Sequence, residues 1–230
     1  MKSIIQDKSK LVNSVFSKVY KKYDLMNDIM SLGIHRIWKN KLIDWMNPQQ
    51  NENLIDVASG TGDIAKLFSK RNNNLNQITC IEPNKEMYNA GKSNLINFKN
   101  IEWLRAQAEN IPLKNNVFDF YTISFGIRNV SNINLCLKEA FRVLKPGGRF
   151  MCLEFSKIDN ELINLIYHQY SKIIPVLGKY IVGSSKPYNY LIRSIDQFNT
   201  QEELVDLIKS NGFSNVEYRN LSNGISAIHS

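Results

Sequence analysis

The sequence predicts an α/β protein, doubly wound around a mostly parallel seven-stranded sheet that ends in an antiparallel hairpin. Three observations carry this. Residues 53–68 pass from a short apolar run (Leu54, Ile55, Val57) through a glycine turn into an apolar-periodic helix (Ile64, Leu67, Phe68), the opening unit of a nucleotide-binding sheet. Further short apolar runs at 77–82, 101–106, 117–124 and 149–155 alternate with helical stretches, as βα units require. The chain then closes on 216–221 and 225–228 around Ser222-Asn-Gly224, a hairpin signal.

Taken in order, residues 11–46 read as helices forming a cap (1–50) before the sheet. Val12, Val15, Phe16, Val19, Tyr20, Tyr23, Met26 and Met30 recur at helical spacing, with Lys18, Lys21 and Lys22 opposite. Tyr23, His35 and Trp38 suit packing between cap and sheet; Tyr23 and His35 are also candidates for hydrogen bonding a substrate. In the turn after the first strand, Gly60 and Gly62 allow a sharp bend and close approach of a ligand. Asp63 stands where it can cap the next helix. The dinucleotide fingerprint is not met, because Ala65 stands three residues after Gly62. Asp56, a carboxylate just before the glycines, would repel a pyrophosphate. It suits a ligand with a cationic centre and no phosphate, such as S-adenosylmethionine (SAM). The loop alone leaves other α/β nucleotide binders and a plain structural turn open.

The second run ends in Glu82, twenty residues past Gly62, where this architecture places the carboxylate that accepts from ribose hydroxyls. Pro83 starts a helix over 84–94. Gln107, Ala108 and Glu109 follow the third run, placed to meet an adenine edge. The fourth run leads into Phe125-Gly-Ile-Arg-Asn129. A helix over 132–144 is expected to stop at Lys145-Pro-Gly-Gly148. Residues 160–198 interrupt the alternation with helical, aromatic-rich sequence broken at Pro175. A last helix over 200–211 is capped by Thr200, with Glu203 three residues on.

Composition limits the function. The 230 residues, 43% apolar, suit a single domain spanning 1–230. There is no spanning apolar run and no secretory leader, so a cytoplasmic protein is expected. The three cysteines (Cys80, Cys136, Cys152) lack metal spacing and read as buried, reduced thiols; no metal is expected. The net charge of +8 is spread along the chain without a basic block or interleaved aromatics. Such a surface fits an anionic membrane face or a nucleic acid, or serves solubility alone; no nucleic acid is expected as a partner.

At the level of motifs the chain resembles the ubiquinone/menaquinone biosynthesis C-methyltransferases, over most of its length from Phe16 to His229. The likeness rests on Phe16-Ser-Lys-Val19, Tyr23-Asp-Leu-Met-Asn-Asp28, Gly33-Ile-His-Arg-Ile-Trp-Lys39, Asp56-Val-Ala-Ser-Gly-Thr-Gly-Asp63, Ile123-Ser-Phe-Gly-Ile-Arg-Asn129, Arg142-Val-Leu-Lys-Pro-Gly-Gly148, Leu153-Glu-Phe-Ser156 and Tyr188-Asn-Tyr-Leu191 with Ser194-Ile195. Generic methyltransferases share the glycine loop but not the N-terminal block or Phe-Gly-Ile-Arg-Asn. The resemblance implies a Rossmann-like methyltransferase fold, with 160–198 on the substrate side, and SAM as methyl donor. It places SAM contacts at Thr61, Glu82, Gln107, Ala108 and Ser124, beside the cofactor-binding turn residues Asp56, Gly60 and Gly62 read from the loop itself. Glu82 replaces a usual Asp, Gln107 a usual Asn or Asp, and Ser59 a common Gly.

The implied reaction is methylation of a ring carbon on a polyprenylated benzoquinol or a demethylmenaquinol. That carbon attacks a sulfonium methyl only when a ring hydroxyl ionises. Arg128 is the expected catalytic group, its cation stabilising the oxyanion, with Tyr23 a second candidate that would hydrogen-bond the substrate. Peripheral contact with a membrane surface follows from the lipid substrate, and a homodimer or a quinone-biosynthesis complex is compatible with it. Two competing classes are a methyltransferase acting on RNA or another small metabolite, and a non-catalytic SAM-fold scaffold.

Overall fold

The structure, a computed structural model, describes residues 12, 14, 17, 23–71, 73–158, 160–182 and 185–230. Lys18, Lys21, Lys22, the Phe16-Ser-Lys-Val19 motif apart from Ser17, and the side chain of Tyr23 lie outside the described residues. In chain order the elements are α1 (Tyr23–Ser31), α2 (His35–Met46), β1 (Leu54–Val57), α3 (Asp63–Arg71), β2 (Ile78–Ile81), α4 (Lys85–Asn94), β3 (Ile101–Leu104) and β4 (Phe118–Ser124). A 3₁₀ turn (Ile127–Asn129) precedes α5 (Ile133–Val143), β5 (Leu144–Phe155), α6 (Glu161–Val182), α7 (Lys186–Asp196), α8 (Gln201–Ser210), β6 (Tyr218–Leu221) and β7 (Ser226–His229).

The seven strands form one sheet in the order β3-β2-β1-β4-β5-β7-β6. All pairings from β3 to β5 are parallel, and β7 runs antiparallel between β5 and β6. The expected doubly wound sheet with a terminal hairpin is therefore present. Strand residues alternate between two apolar layers, because side chains of successive residues point to opposite faces. Leu54, Phe120, Met151 and Leu153 join the cap residues Trp38, Leu42 and Met46 on one face. Ile55, Tyr121, Phe150 and Cys152 join α5 and α8 on the other. Burial on both faces explains why the central strands read as continuous apolar runs.

Helix ends follow the local chemistry. Asn84 caps α4 by accepting from the Met87 N–H at 3.0 Å, and Asn132 caps α5 through Leu135 at 3.1 Å. Thr200 and Glu203 form the expected reciprocal capping box on α8.

One expectation is met and extended, and one is corrected. Helix α5 ends at Val143, so it does stop where Lys145-Pro-Gly-Gly148 begins, but β5 starts at Leu144 and includes this segment rather than starting at Arg149. Phe118 pairs with Leu144 and Phe120 with Arg149, so these residues bulge out between two pairings, with Gly147 at φ +80°. Pro175 does not break the helix of the insertion; it sits inside α6. It forfeits one backbone bond, but α6 is anchored in the turn just before it. Tyr170 donates to the Ile29 carbonyl, and Ile174 is fully buried.

Candidate active site

In an open α/β sheet the crevice forms where neighbouring strands lead off in opposite directions, here between β1 and β4. The residues that leave these two strands carry backbone strain. Ala58 and Phe125 both adopt φ +54°, a left-handed conformation unusual outside glycine. Gly126 allows them to touch, since a Cβ there would stand 2.7 Å from the Ala58 Cβ. Such strain persists only where surrounding structure enforces it, and it collects at binding sites. Phe125 is held by Trp38 and Phe155, with ring centroids 6.3 and 5.0 Å away.

Two cavities open beside this point and share the wall Ala58, Gly60 and Phe125. The larger, about 750 Å³ including its open mouth, is lined further by Glu82, Asn84, Met87, Gln107, Ala108 and Asn129, among others. Glu82 is buried at its base, with one oxygen accepting from the Gly60 N–H and the other from Asn84 N–H, both at 2.9 Å. Burial pushes its pKa up to about 7 against the pull of those two donors. Gln107 stands exposed at the rim and Ala108 is buried. Glu109 lines the cavity but is occupied in capping: it accepts from the N–H groups of Ser131 (2.5 Å) and Asn132 (3.1 Å). The N-terminal segment also reaches this cavity. Val12 lines it, and Ser17 bridges Asn84 and Glu86 at 2.9 Å each.

The smaller cavity is about 330 Å³ including its open mouth. It adds Lys39, Asp56, Ser59, Thr61, Asp63 and Ser124, with Ile64 beside them. Asp56 is 1% exposed; one oxygen accepts from the Thr122 hydroxyl at 2.7 Å, and the other has no partner. Burial pushes its pKa up to about 7. The Ser124 hydroxyl is likewise unpartnered. Lys39, from α2, is buried to 5% exposure and meets Asp63 at 2.6 Å. Asp63 is thus engaged by the cap. Burial pushes its carboxyl up, but Lys39 outweighs this and holds it below the usual range. Ser59 fits where a glycine is common by turning its hydroxyl onto the Asp56 carbonyl at 2.5 Å.

The structure thus brings Asp56, Gly60, Thr61, Glu82, Gln107, Ala108 and Ser124 to two adjoining cavities. Gly62 lines neither. Its φ of +90°, and the 2.5 Å that a Cβ there would leave to Leu95, give it a packing role beneath the turn. Arg128 is more enclosed than the sequence suggests. Its guanidinium forms an ion pair with Glu154, both side chains essentially buried, and donates to the Phe125 carbonyl at 3.0 Å. It also lies over the Phe155 ring, 5.5 Å from the centroid. His35 is buried against Ser31, and burial lowers its pKa to about 4, which leaves the ring neutral. It lines neither cavity. Trp38 packs and donates to Ser222 at 3.0 Å.

The sequence reading passed over Lys39, Asn84, Met87 and Phe125 as wall residues. The left-handed backbone of Phe125 has no sequence mark, and Lys39 is one lysine among several on a helical pattern. Asn129 was legible only as part of its motif. Its side chain accepts from Tyr190 of α7 at 2.9 Å, joining the insertion to the wall of the larger cavity.

Together these groups can hold a ligand with a vicinal diol, a flat apolar base and a charged end. Glu82 offers acceptors to the diol, the Met87–Ala108 wall faces the base, and the orphan Asp56 oxygen invites a cationic donor.

Comparison with known proteins agrees. Residues 4–230 match the ubiE/COQ5 methyltransferase family. The chain is 50% identical to the ubiquinone/menaquinone biosynthesis C-methyltransferase UbiE of Rickettsia bellii, over 97% of this chain and 93% of that protein. It is 43% identical to the mitochondrial 2-methoxy-6-polyprenyl-1,4-benzoquinol methylase of Dictyostelium discoideum, over 98% and 82% of the two chains. Among solved structures, a SAM-dependent methyltransferase from Thermotoga maritima superposes with a TM-score of 0.67 at 20% identity, covering 94% and 97% of the chains. Another from Aquifex aeolicus gives 0.60 at 17% identity, covering 83% and 86%. These two similarities concern the fold.

Proposed function

The chain belongs to the ubiE/COQ5 methyltransferase family, and on that premise we propose that it methylates a ring carbon of a polyprenylated quinol: a 2-polyprenyl-6-methoxy-1,4-benzoquinol, a demethylmenaquinol, or both. The observation that carries the reading is the pair of cavities sharing Ala58, Gly60 and Phe125 at the switch point, with buried carboxylates at Glu82 and Asp56. SAM, the methyl donor, supplies an electrophilic methyl on a sulfonium centre. In this proposal Glu82 accepts from the ribose hydroxyls, Gln107 and Ala108 border the adenine, and Thr61 and Ser124 line the way to the reacting end.

Arg128 enters in a reduced role. A lone cation about 4 Å from a ring oxyanion contributes roughly 4 kcal/mol at an effective dielectric of 20. Here Glu154 balances the guanidinium, so an approaching oxyanion meets a nearly neutral pair and most of that attraction is offset. The pair instead fixes the turn from Phe125 to Asn129, through the Phe125 carbonyl and the Arg128 backbone N–H. Tyr23 remains a candidate for contact with the ring.

The prenyl tail is assigned to the cap and insertion. Leu162, Leu165, Ile166 and Ile173 of α6 form an exposed apolar row, 54–66% accessible. Each tail CH₂ buried there contributes about 0.8 kcal/mol. Among the described residues no helix is long and apolar enough to cross a membrane, so the proposal takes the lipid from a membrane surface. Binding to anionic liposomes that is released by high salt tests this contact. The reaction is tested by incubating the protein with SAM and matched benzoquinol and naphthoquinol substrates, with and without a tail, and weighing the products. A methylated ring is expected. Absence of methyl transfer to either ring refutes the assignment, and equal rates without a tail refute the tail site.

A further inference from the structure

The smaller cavity contains more charge than a glycine turn needs. Lys39 comes from the cap, Asp56 from the end of β1 and Asp63 from the start of α3, and all three line one space. A buried charge is costly unless it is paired, yet one Asp56 oxygen, 1% exposed, has no partner. Lys39 is buried with one donor committed to Asp63, and an ammonium group has three. The cavity adjoins the one holding Glu82, the two sharing Ala58, Gly60 and Phe125, which places both within reach of one extended ligand crossing that edge.

We propose that Lys39 and Asp56 form a subsite for the α-amino-acid end of the cofactor, Lys39 taking the carboxylate and Asp56 the ammonium. The helical cap thereby completes the cofactor site. Charge supports the pairing. With both acids ionised, Lys39, Asp56 and Asp63 sum to one negative charge. SAM, with its ammonium, sulfonium and carboxylate, sums to one positive. The partnerless oxygen gains a donor, and the carboxylate is met by a cation already held in place by Asp63. Preorganisation of this kind lowers the entropic cost of binding.

The inference rests on SAM as the ligand, and the test separates the two ideas. Binding of SAM and of decarboxylated SAM, which differ only in the carboxylate, is measured by calorimetry on the wild type and on Lys39→Met. The wild type is expected to favour SAM by about tenfold or more, the scale of one charge-assisted hydrogen bond. In Lys39→Met the preference should fall to near unity, with affinity for the decarboxylated ligand little changed. A merely structural Lys39 would weaken both ligands equally. Equal affinities in the wild type overturn the proposal without any variant, as does a preference that survives in Lys39→Met. Should Lys39→Met not fold, Lys39→Gln, which keeps a donor towards Asp63, carries the same comparison. Failure of both ligands to bind the wild type overturns the SAM reading itself.

Discussion

Asp56→Asn should change the pH dependence of stability in a defined way. In the ligand-free protein burial raises the Asp56 pKa from 3.8 to about 7. Between those values the native state holds a proton that the unfolded chain has released, so stability falls as pH rises. The slope is about 1.4 kcal/mol per pH unit, and three units give a loss of about 4 kcal/mol, complete above pH 7. Asparagine has no such titration. It keeps the acceptor for Thr122 but buries an amide donor in place of the lone oxygen, at a pH-independent cost of about 1–3 kcal/mol. The variant should therefore be less stable than the wild type near pH 4 and more stable at pH 8. Urea titrations at pH 4, 5, 6, 7 and 8 without ligand measure this crossing. Stability curves that stay parallel across the range would refute the account of Asp56 as a desolvated acid. Adding SAM at pH 8 should stabilise the wild type more than Asp56→Asn, by about the 1.4 kcal/mol that a tenfold loss of affinity represents.

Three further outcomes are expected. Glu82→Ala should weaken SAM binding by about 1.5–3 kcal/mol for each ribose hydrogen bond lost, and calorimetry showing unchanged affinity would end its assignment as the ribose acceptor. Arg128→Ala leaves Glu154 buried without its cation and should destabilise the fold by about 3–5 kcal/mol; the double replacement Arg128→Met with Glu154→Met should fold in urea titrations, and its turnover then shows whether the guanidinium acts on substrate, since wild-type turnover excludes that role. Gly126→Ala forces a Cβ to 2.7 Å from Ala58, so thermal melting should show a loss of about 1–3 kcal/mol and SAM affinity should drop with it; a variant with wild-type melting and affinity would show that the two strand ends can move apart freely.

Much of this site could be read in the sequence because its features are local. A strand buried on both faces leaves a continuous apolar run, as Leu54–Val57 and Ile78–Ile81 do. The carboxylate at Glu82 follows from its distance along the chain, and the Thr200–Glu203 box from a spacing of three. What could not be read depends on partners far away in sequence. Lys145-Pro-Gly-Gly148 carries the marks of the helix stop it provides, and only pairing with β4 makes it part of β5 as well. Arg128 was placed correctly beyond β4, but its partner Glu154 comes 26 residues later on β5. Pro175 is a strong local breaker that tertiary packing on α6 overrides. Lys39 belongs to the site only because α2 folds back over the turn.

The hydrogen bond from Trp38 to Ser222 spans 184 positions, and Arg149 reaches both the Met46 carbonyl and Ser230. The helix that presents Lys39 is therefore clamped in part by the β6–β7 hairpin. During translation the glycine turn emerges before this hairpin, so the cap packs on β1, β4 and β5 before the clamp can form. A nascent chain halted before residue 222 would carry the glycine turn and Glu82 without the clamp that seats Lys39 above them. Removing residues 222–230 should therefore cost cofactor affinity at a site built on the distant glycine turn and Glu82.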